Sequence, residues 1–346
     1  MLRISVRTRA LLATGALALP ALASAQTFTV QKYNIGGEGG TDYVTAEAGT
    51  GRVFVSRSTH VMVIDANTGT VLGDIPNTPR VHGVGLAPKA NHGFATVAGD
   101  SSVTMFDLTT LAFLRKIPVK VGGLDGIMYD STSDKIILTN HSKTGTVVAL
   151  DPVSGDIVGT AKLEDNGPEG AVANGKGWIY VNNEGTSTMQ VVDVATWTAI
   201  KSWKLAPCDG PTGIAYDAPS DRVFSGCGKT SVVVDGTNGN IVAKIANGDG
   251  VDALGYDASE KLIYIPSGQA GNVSVVRQDG PDTYTTVATV STVRGAKTIT
   301  VDPVTHRAFL FQPERGPSTP APAGSPAGTR ATPGPITSAT FIVISH

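Results

Sequence analysis

Six ionisable residues, Asp42, His82, Asp125, Glu169, Asp252 and Lys297, recur along this chain at nearly even intervals, with Thr212 in the one remaining place. Successive spacings are 40, 43, 44, 43, 40 and 45 residues, and Arg294 stands three positions before the last member. Brought together, these residues make a ring of four carboxylates, two permanent cations and an imidazole that titrates near neutrality. Such a ring favours a polar or cationic ligand. The same donors offer a second chemistry. His82, Asp125, Glu169 and Asp252 present nitrogen and oxygen to a divalent ion that activates water, as a metal-dependent hydrolase or lactonase requires. A carboxylate at the start of a strand also has a purely structural use, accepting hydrogen bonds from nearby backbone N–H groups. Many charges on one cavity are nonetheless costly unless paired, hydrated or liganded, and that favours a functional ring.

No compact catalytic signature accompanies the ring. The chain has no Gly-x-Ser-x-Gly elbow, no His-Glu-x-x-His, no Gly-rich phosphate loop and no paired-cysteine metal motif. Recognition of a small polar ligand or a protein partner, with no cofactor and no dedicated metal motif, is therefore the leading expectation, and the hydrolase is the runner-up. A quinone cofactor needs an aromatic stacking surface, but Trp178, Trp197 and Trp203 fall in one short stretch and read as packing residues. Nucleic acid is disfavoured too. The formal charge is −2 and becomes −5 once Arg3, Arg7 and Arg9 are removed with a leader, and no basic groove interleaved with aromatics is visible.

The elements that must position the ring follow from an internal repeat running from Asp42 to the C-terminus. Its clearest copy begins at Asp125. An apolar stretch ends in Tyr129-Asp130, then come Ile136-Ile137-Leu138, Val147-Val148-Ala149-Leu150-Asp151, a Ser154-Gly155 turn and Ile157-Val158. Short apolar, β-branched runs separated by turn formers predict four antiparallel strands per copy. Seven copies predict an all-β fold, a seven-bladed β-propeller with four-stranded antiparallel blades. The ring position then falls where each innermost strand begins, at the mouth of the central channel. Ends of second strands emerge on the same face, bringing Arg57, His60, Asn140, His141, Asn183 and Glu184 towards its rim.

The last copy lacks a fourth strand, and Phe28-Thr29-Val30-Gln31-Lys32-Tyr33 is expected to supply it as the outer strand of blade seven, which removes an open edge. Residues 1–25 read as a secretory signal peptide, with a basic start, an apolar segment too short to span a bilayer and a small-residue cleavage site at Ala23-Ser24-Ala25. Residues 26–346 then form one domain, periplasmic or secreted and without a membrane span. Pro313 to Pro335, crowded with Pro, Gly, Ala, Ser and Thr, reads as a flexible loop. Two cysteines in an exported chain predict one disulfide, Cys208 to Cys227, bracing the funnel wall.

The chain resembles the YncE-like family of YVTN-repeat propellers in Tyr129-Asp130, Tyr216-Asp217 and Tyr256-Asp257, in its Asp-x-x-Thr-Gly type hairpins, and in Gly248-Asp249-Gly250-Val251-Asp252-Ala253. Ala206-Pro207-Cys208 followed by Ser225-Gly226-Cys227 adds to the likeness, which spans nearly the whole mature chain. The resemblance implies a seven-bladed, commonly periplasmic or surface protein whose family activity is mostly unassigned. DNA binding has been proposed for some members, so the resemblance keeps nucleic acid open as a partner.

Overall fold

Apolar runs of three to ten residues, cut by turns that carry Asp and Gly, fold as seven four-stranded antiparallel sheets in the computed structural model. The structure describes residues 26–164, 166–320, 322, 324, 326 and 331–346, so the expected signal peptide lies outside the described residues. Blades one to six each use four consecutive strands, from Val44–Ala46 to Val71–Ile75 in blade one and from Gly255–Asp257 to Thr283–Ser291 in blade six.

Two kinds of turn on the face away from the ring set the strand register. Between third and fourth strands, the Asp carboxylate accepts from backbone N–H groups further along the turn. Asp151 takes those of Val153 and Ser154, each at 2.9 Å, and Gly155 closes the turn at φ +73°, a left-handed conformation that glycine adopts without steric cost. After the Tyr-Asp pairs, Asp130 accepts from Thr132 N–H at 3.0 Å, and Asp257 from Ser259 N–H at 3.1 Å. The repeated aspartates outside the ring are thus turn-formers.

Among the described residues there is no single central core. Seven apolar clusters lie one between each pair of neighbouring blades, such as Phe94, Ile117, Leu138 and Leu150 between blades two and three, and Phe224, Val233, Ile263 and Ile265 between blades five and six. Each blade buries both faces against its neighbours, which explains near-continuous apolar second and third strands where a one-sided sheet would alternate. The tryptophans belong to this packing: a Cβ added at Gly159 would lie 2.1 Å from the Trp197 ring, and one at Gly239 would lie 2.3 Å from Trp203.

Blade seven is closed by the N-terminal strand. Thr29–Asn34 pairs antiparallel with Ile336–Ser345, bringing Val30 opposite Ile344 and Tyr33 opposite Phe341. The chain then crosses from the outer edge of blade seven to the centre of blade one, and Arg57 holds the crossing. Its guanidinium donates to Gly36 O and Gly37 O at 3.0 Å each and to Gly40 O at 3.2 Å, and lies 4.6 Å from the Phe311 ring centre. Arg57, expected on the funnel rim, is fully buried here. Burial lowers its pKa to about 10. The strand Arg307–Arg315 runs past Pro313, pairing it with Ala339, and a bridge between Thr319 and Thr332 extends the same ladder. Among the described residues, no helix is long and apolar enough to cross a membrane.

Candidate functional site

Consecutive blades are stitched together where their innermost strands begin. Thr96 and Thr139, buried in second strands, donate to the backbone oxygens of the next ring residues, Asp125 at 2.8 Å and Glu169 at 2.6 Å. Asn182 reaches Gly213 O at 2.9 Å, and Thr298 Oγ1 reaches Asp42 O at 2.7 Å. Backbone bonds from Tyr43 N–H to His82 O and from Asp252 N–H to Lys297 O, both 3.1 Å, close two more junctions. In blade three the approach is close enough to exclude a side chain after the ring residue: a Cβ at Gly126 would lie 2.6 Å from Glu169 O. The ring residues are therefore held by backbone, and their side chains are left to the channel mouth.

Three groupings result. His82 Nδ1 lies 2.7 Å from Asp42 Oδ2 and 3.5 Å from Asp125 Oδ1. His141, just beyond the second strand of blade three, pairs its Nδ1 with Glu169 Oε1 and has Nε2 at 3.6 Å from Glu184 Oε2. Lys297 Nζ contacts Asp252 Oδ2 at 2.6 Å. Asp252 is thus committed to a cation and is not part of the donor set that the even spacing suggested for a metal. Thr212 spends its hydroxyl on Val251 O at 3.1 Å. Arg294 stands apart, donating to Gln269 O at 3.0 Å and lining a neighbouring pocket with Lys297 and Gly250.

Of the six residues expected on the rim, His141 and Glu184 join the ring. Asn140 braces its own loop, accepting from Thr146 N–H at 2.6 Å and donating to Gly122 O at 3.1 Å. Asn183 is fully buried, and His60 lies 3.5 Å from Asp74, away from the ring. Arg57 is taken by the crossing segment. Tyr43 was not singled out by sequence, yet its hydroxyl donates to Glu169 Oε2 at 3.0 Å across the channel. A signal existed: the residue after the ring position is Gly, Ala or Thr in every other copy and Tyr only here. Cys208 and Cys227 form a disulfide with Cα atoms 5.5 Å apart, joining the approach to the innermost strand of blade five to the end of its second strand.

Crowding of acids in a partly dehydrated mouth governs the electrostatics. Burial, then repulsion from Glu169, pushes the Asp125 carboxyl up to about 7, against the opposing pull of His82. Burial also raises Asp252 and Glu184. The hydrogen bond to Glu169 lifts His141 to about 9. For His82, burial acts downward but is outweighed by the bond to Asp42 and the charge of Asp125, so its pKa rises. Burial and Glu169 hold the Tyr43 phenol well above its ordinary range, keeping it a donor. Beyond the charged mouth the channel is lined by glycines, by apolar groups including Val84, Ile127 and Ile214, and by Tyr43, Thr45 and Thr212, around a cavity of about 150 Å³.

No family model and no curated protein sequence matches the chain. Among solved structures, Kuenenia stuttgartiensis hydrazine synthase superposes with a TM-score of 0.67 at 14% identity, over 78% of this chain and 92% of that one. A chain of a mitotic checkpoint complex superposes with a TM-score of 0.71 at 14% identity, over 89% and 96% respectively. At this identity the likeness establishes the seven-bladed propeller and nothing about activity.

Proposed function

We propose that this chain is an exported binding propeller that recognises a polar, cationic ligand or partner group at the mouth of its axial funnel. The observation that carries the reading is the convergence of five carboxylates, Asp42, Asp125, Glu169, Glu184 and Asp252, on one opening where they outnumber the three cationic partners His82, His141 and Lys297. A carboxyl raised to about 7 in that company marks a place where one more positive charge is stabilising. Clustered perturbed groups in a concave site are the expected mark of a binding centre. Export is supported by the basic and apolar leader and by the disulfide. The YncE-like resemblance agrees with this reading in architecture, but an acidic mouth argues against nucleic acid as the ligand.

The test is a thermal-shift and calorimetric comparison of a short aliphatic diamine, a dicarboxylate of equal length and a labelled single-stranded oligonucleotide at physiological salt. The diamine raises the melting temperature by mass action, and the other two do not. Asp125→Asn weakens the diamine response. Retention of the oligonucleotide, or equal responses to diamine and dicarboxylate, overturns the reading.

A further inference from the structure

We propose that Asp125, His141 and Glu169 together hold one divalent transition-metal ion at the funnel mouth. The inference rests on the cationic-ligand reading and deepens it by naming the cation. The donor atoms of these three residues all lie within 4.8 Å of one another. Modest side-chain rotation closes such a triangle around an ion with bonds of about 2.1 Å. One imidazole with two carboxylates is a mixed nitrogen and oxygen set of the kind that takes zinc, manganese or ferrous iron. Three protein ligands also leave positions open towards the mouth, where an oxygen of a bound ligand can attach.

A further observation separates this set from a chance gathering of acids: each of the three ligands is backed by a partner of its own. The Tyr43 hydroxyl donates to Glu169 Oε2 at 3.0 Å. Glu184 faces the far nitrogen of His141 at 3.6 Å, the place where a metal-bound histidine ordinarily meets a carboxylate. His82 faces Asp125 at 3.5 Å and is itself fixed by Asp42 at 2.7 Å. Thr96 and Thr139 pin the backbones of Asp125 and Glu169. The adjacent trio Asp42, His82 and Asp125 also brings its donors within 4.8 Å. Among the described residues, however, only the His141 set pairs every ligand with an outer partner, and its histidine is half-exposed, giving an ion a path in. Asp42 and His82 accordingly act as positioning residues for Asp125.

The protein is stripped with EDTA, dialysed against Mn²⁺ or Zn²⁺, and its metal content measured by mass spectrometry, with Co²⁺ absorption as a spectroscopic probe of the ligand set. About one equivalent is expected in the wild type. His141→Ala and Glu169→Gln abolish it, and Tyr43→Phe and His82→Gln weaken affinity by roughly 10–100-fold. His306→Ala, on the opposite face beside Asp257, leaves it unchanged, and circular dichroism melts confirm that each variant is folded. A folded wild type that retains no ion, or a His141→Ala variant that retains it equally, overturns the proposal. The diamine titration is repeated on stripped protein. Stabilisation by diamine without metal retention leaves the funnel reading standing and removes the metal, whereas neither response removes both.

Discussion

Replacing Asp125 by Asn keeps the shape of the side chain and the backbone oxygen that Thr96 binds, but removes an acid that the fold makes hard to ionise. Its pKa rises from 3.8 to about 7. At 1.36 kcal/mol per unit, that displacement sets a ceiling of about 4 kcal/mol on the cost of charging Asp125 in the native state. Water at the open mouth screens part of it, and about 1–2 kcal/mol is the expected net effect. Because the folded pKa is raised, the native state holds its proton where the unfolded chain has released it. The cost is therefore nearly absent below about pH 4, grows as pH rises towards 7 and is complete above it. Asp125→Asn should then be more stable than wild type at pH 8, by about 2–5 °C in melting temperature, and nearly equal at pH 4. Melts in EDTA at both pH values measure this without contribution from a bound cation. An Asn variant less stable than wild type at pH 8, or a difference independent of pH, would refute the electrostatic account and return Asp125 to a structural role.

Further outcomes are expected elsewhere in the molecule. The double variant Cys208→Ala with Cys227→Ala loses about 3 kcal/mol, from the chain-entropy value for the 19-residue separation it closes, measured by guanidinium unfolding under non-reducing conditions. A shift below 1 kcal/mol would contradict the chain-entropy account, in which the bridge acts by restricting the unfolded chain. Deleting residues 26–34 removes the strand paired with Ile336–Ser345 and opens the propeller ring; the truncated chain should melt well below wild type and bind a hydrophobic dye, and an unchanged melt would contradict closure through blade seven. His306 contacts Asp257 at 2.8 Å, and its pKa is raised by that bond, whereas burial of Asp257 is outweighed by hydrogen bonds from Ser259 and His306 that lower its pKa. The Asp257 contribution is lost as pH falls through its depressed value, and that of His306 is lost as pH rises through its elevated one. His306→Ala should therefore destabilise most between about pH 4 and 6.5, and a pH-independent difference would contradict the pairing.

The sequence made the architecture legible because turn chemistry is local. Asp151 and Gly155 fold their turn with neighbours in the chain, and Asp65, Asp107, Asp193 and Asp235 repeat the same turn in blades one, two, four and five, which fixes the strand count per blade and the ring position. Closure by Thr29–Asn34 was equally visible, since the final copy is one strand short. What escaped were contacts between blades. Strand order places Arg57 on the correct face, but the glycine carbonyls that draw it inward belong to a segment 17 to 21 residues earlier. Tyr43 stands one residue after the ring position, where the other copies carry Gly, Ala or Thr, and only the folded distance to Glu169 gives its size a role. Equal spacing treats seven ring positions as equivalent. The individual side chains break that equivalence by pairing Lys297 with Asp252 and gathering His82, His141 and three carboxylates around the other arc.

The most direct test of cation recognition at the funnel mouth is anomalous diffraction from crystals of the stripped protein grown with Mn²⁺, recorded at the manganese edge. A single strong peak among Asp125, His141 and Glu169 is the predicted result. A well-ordered propeller with no anomalous density at that mouth, or with its only peak on another surface, would contradict it.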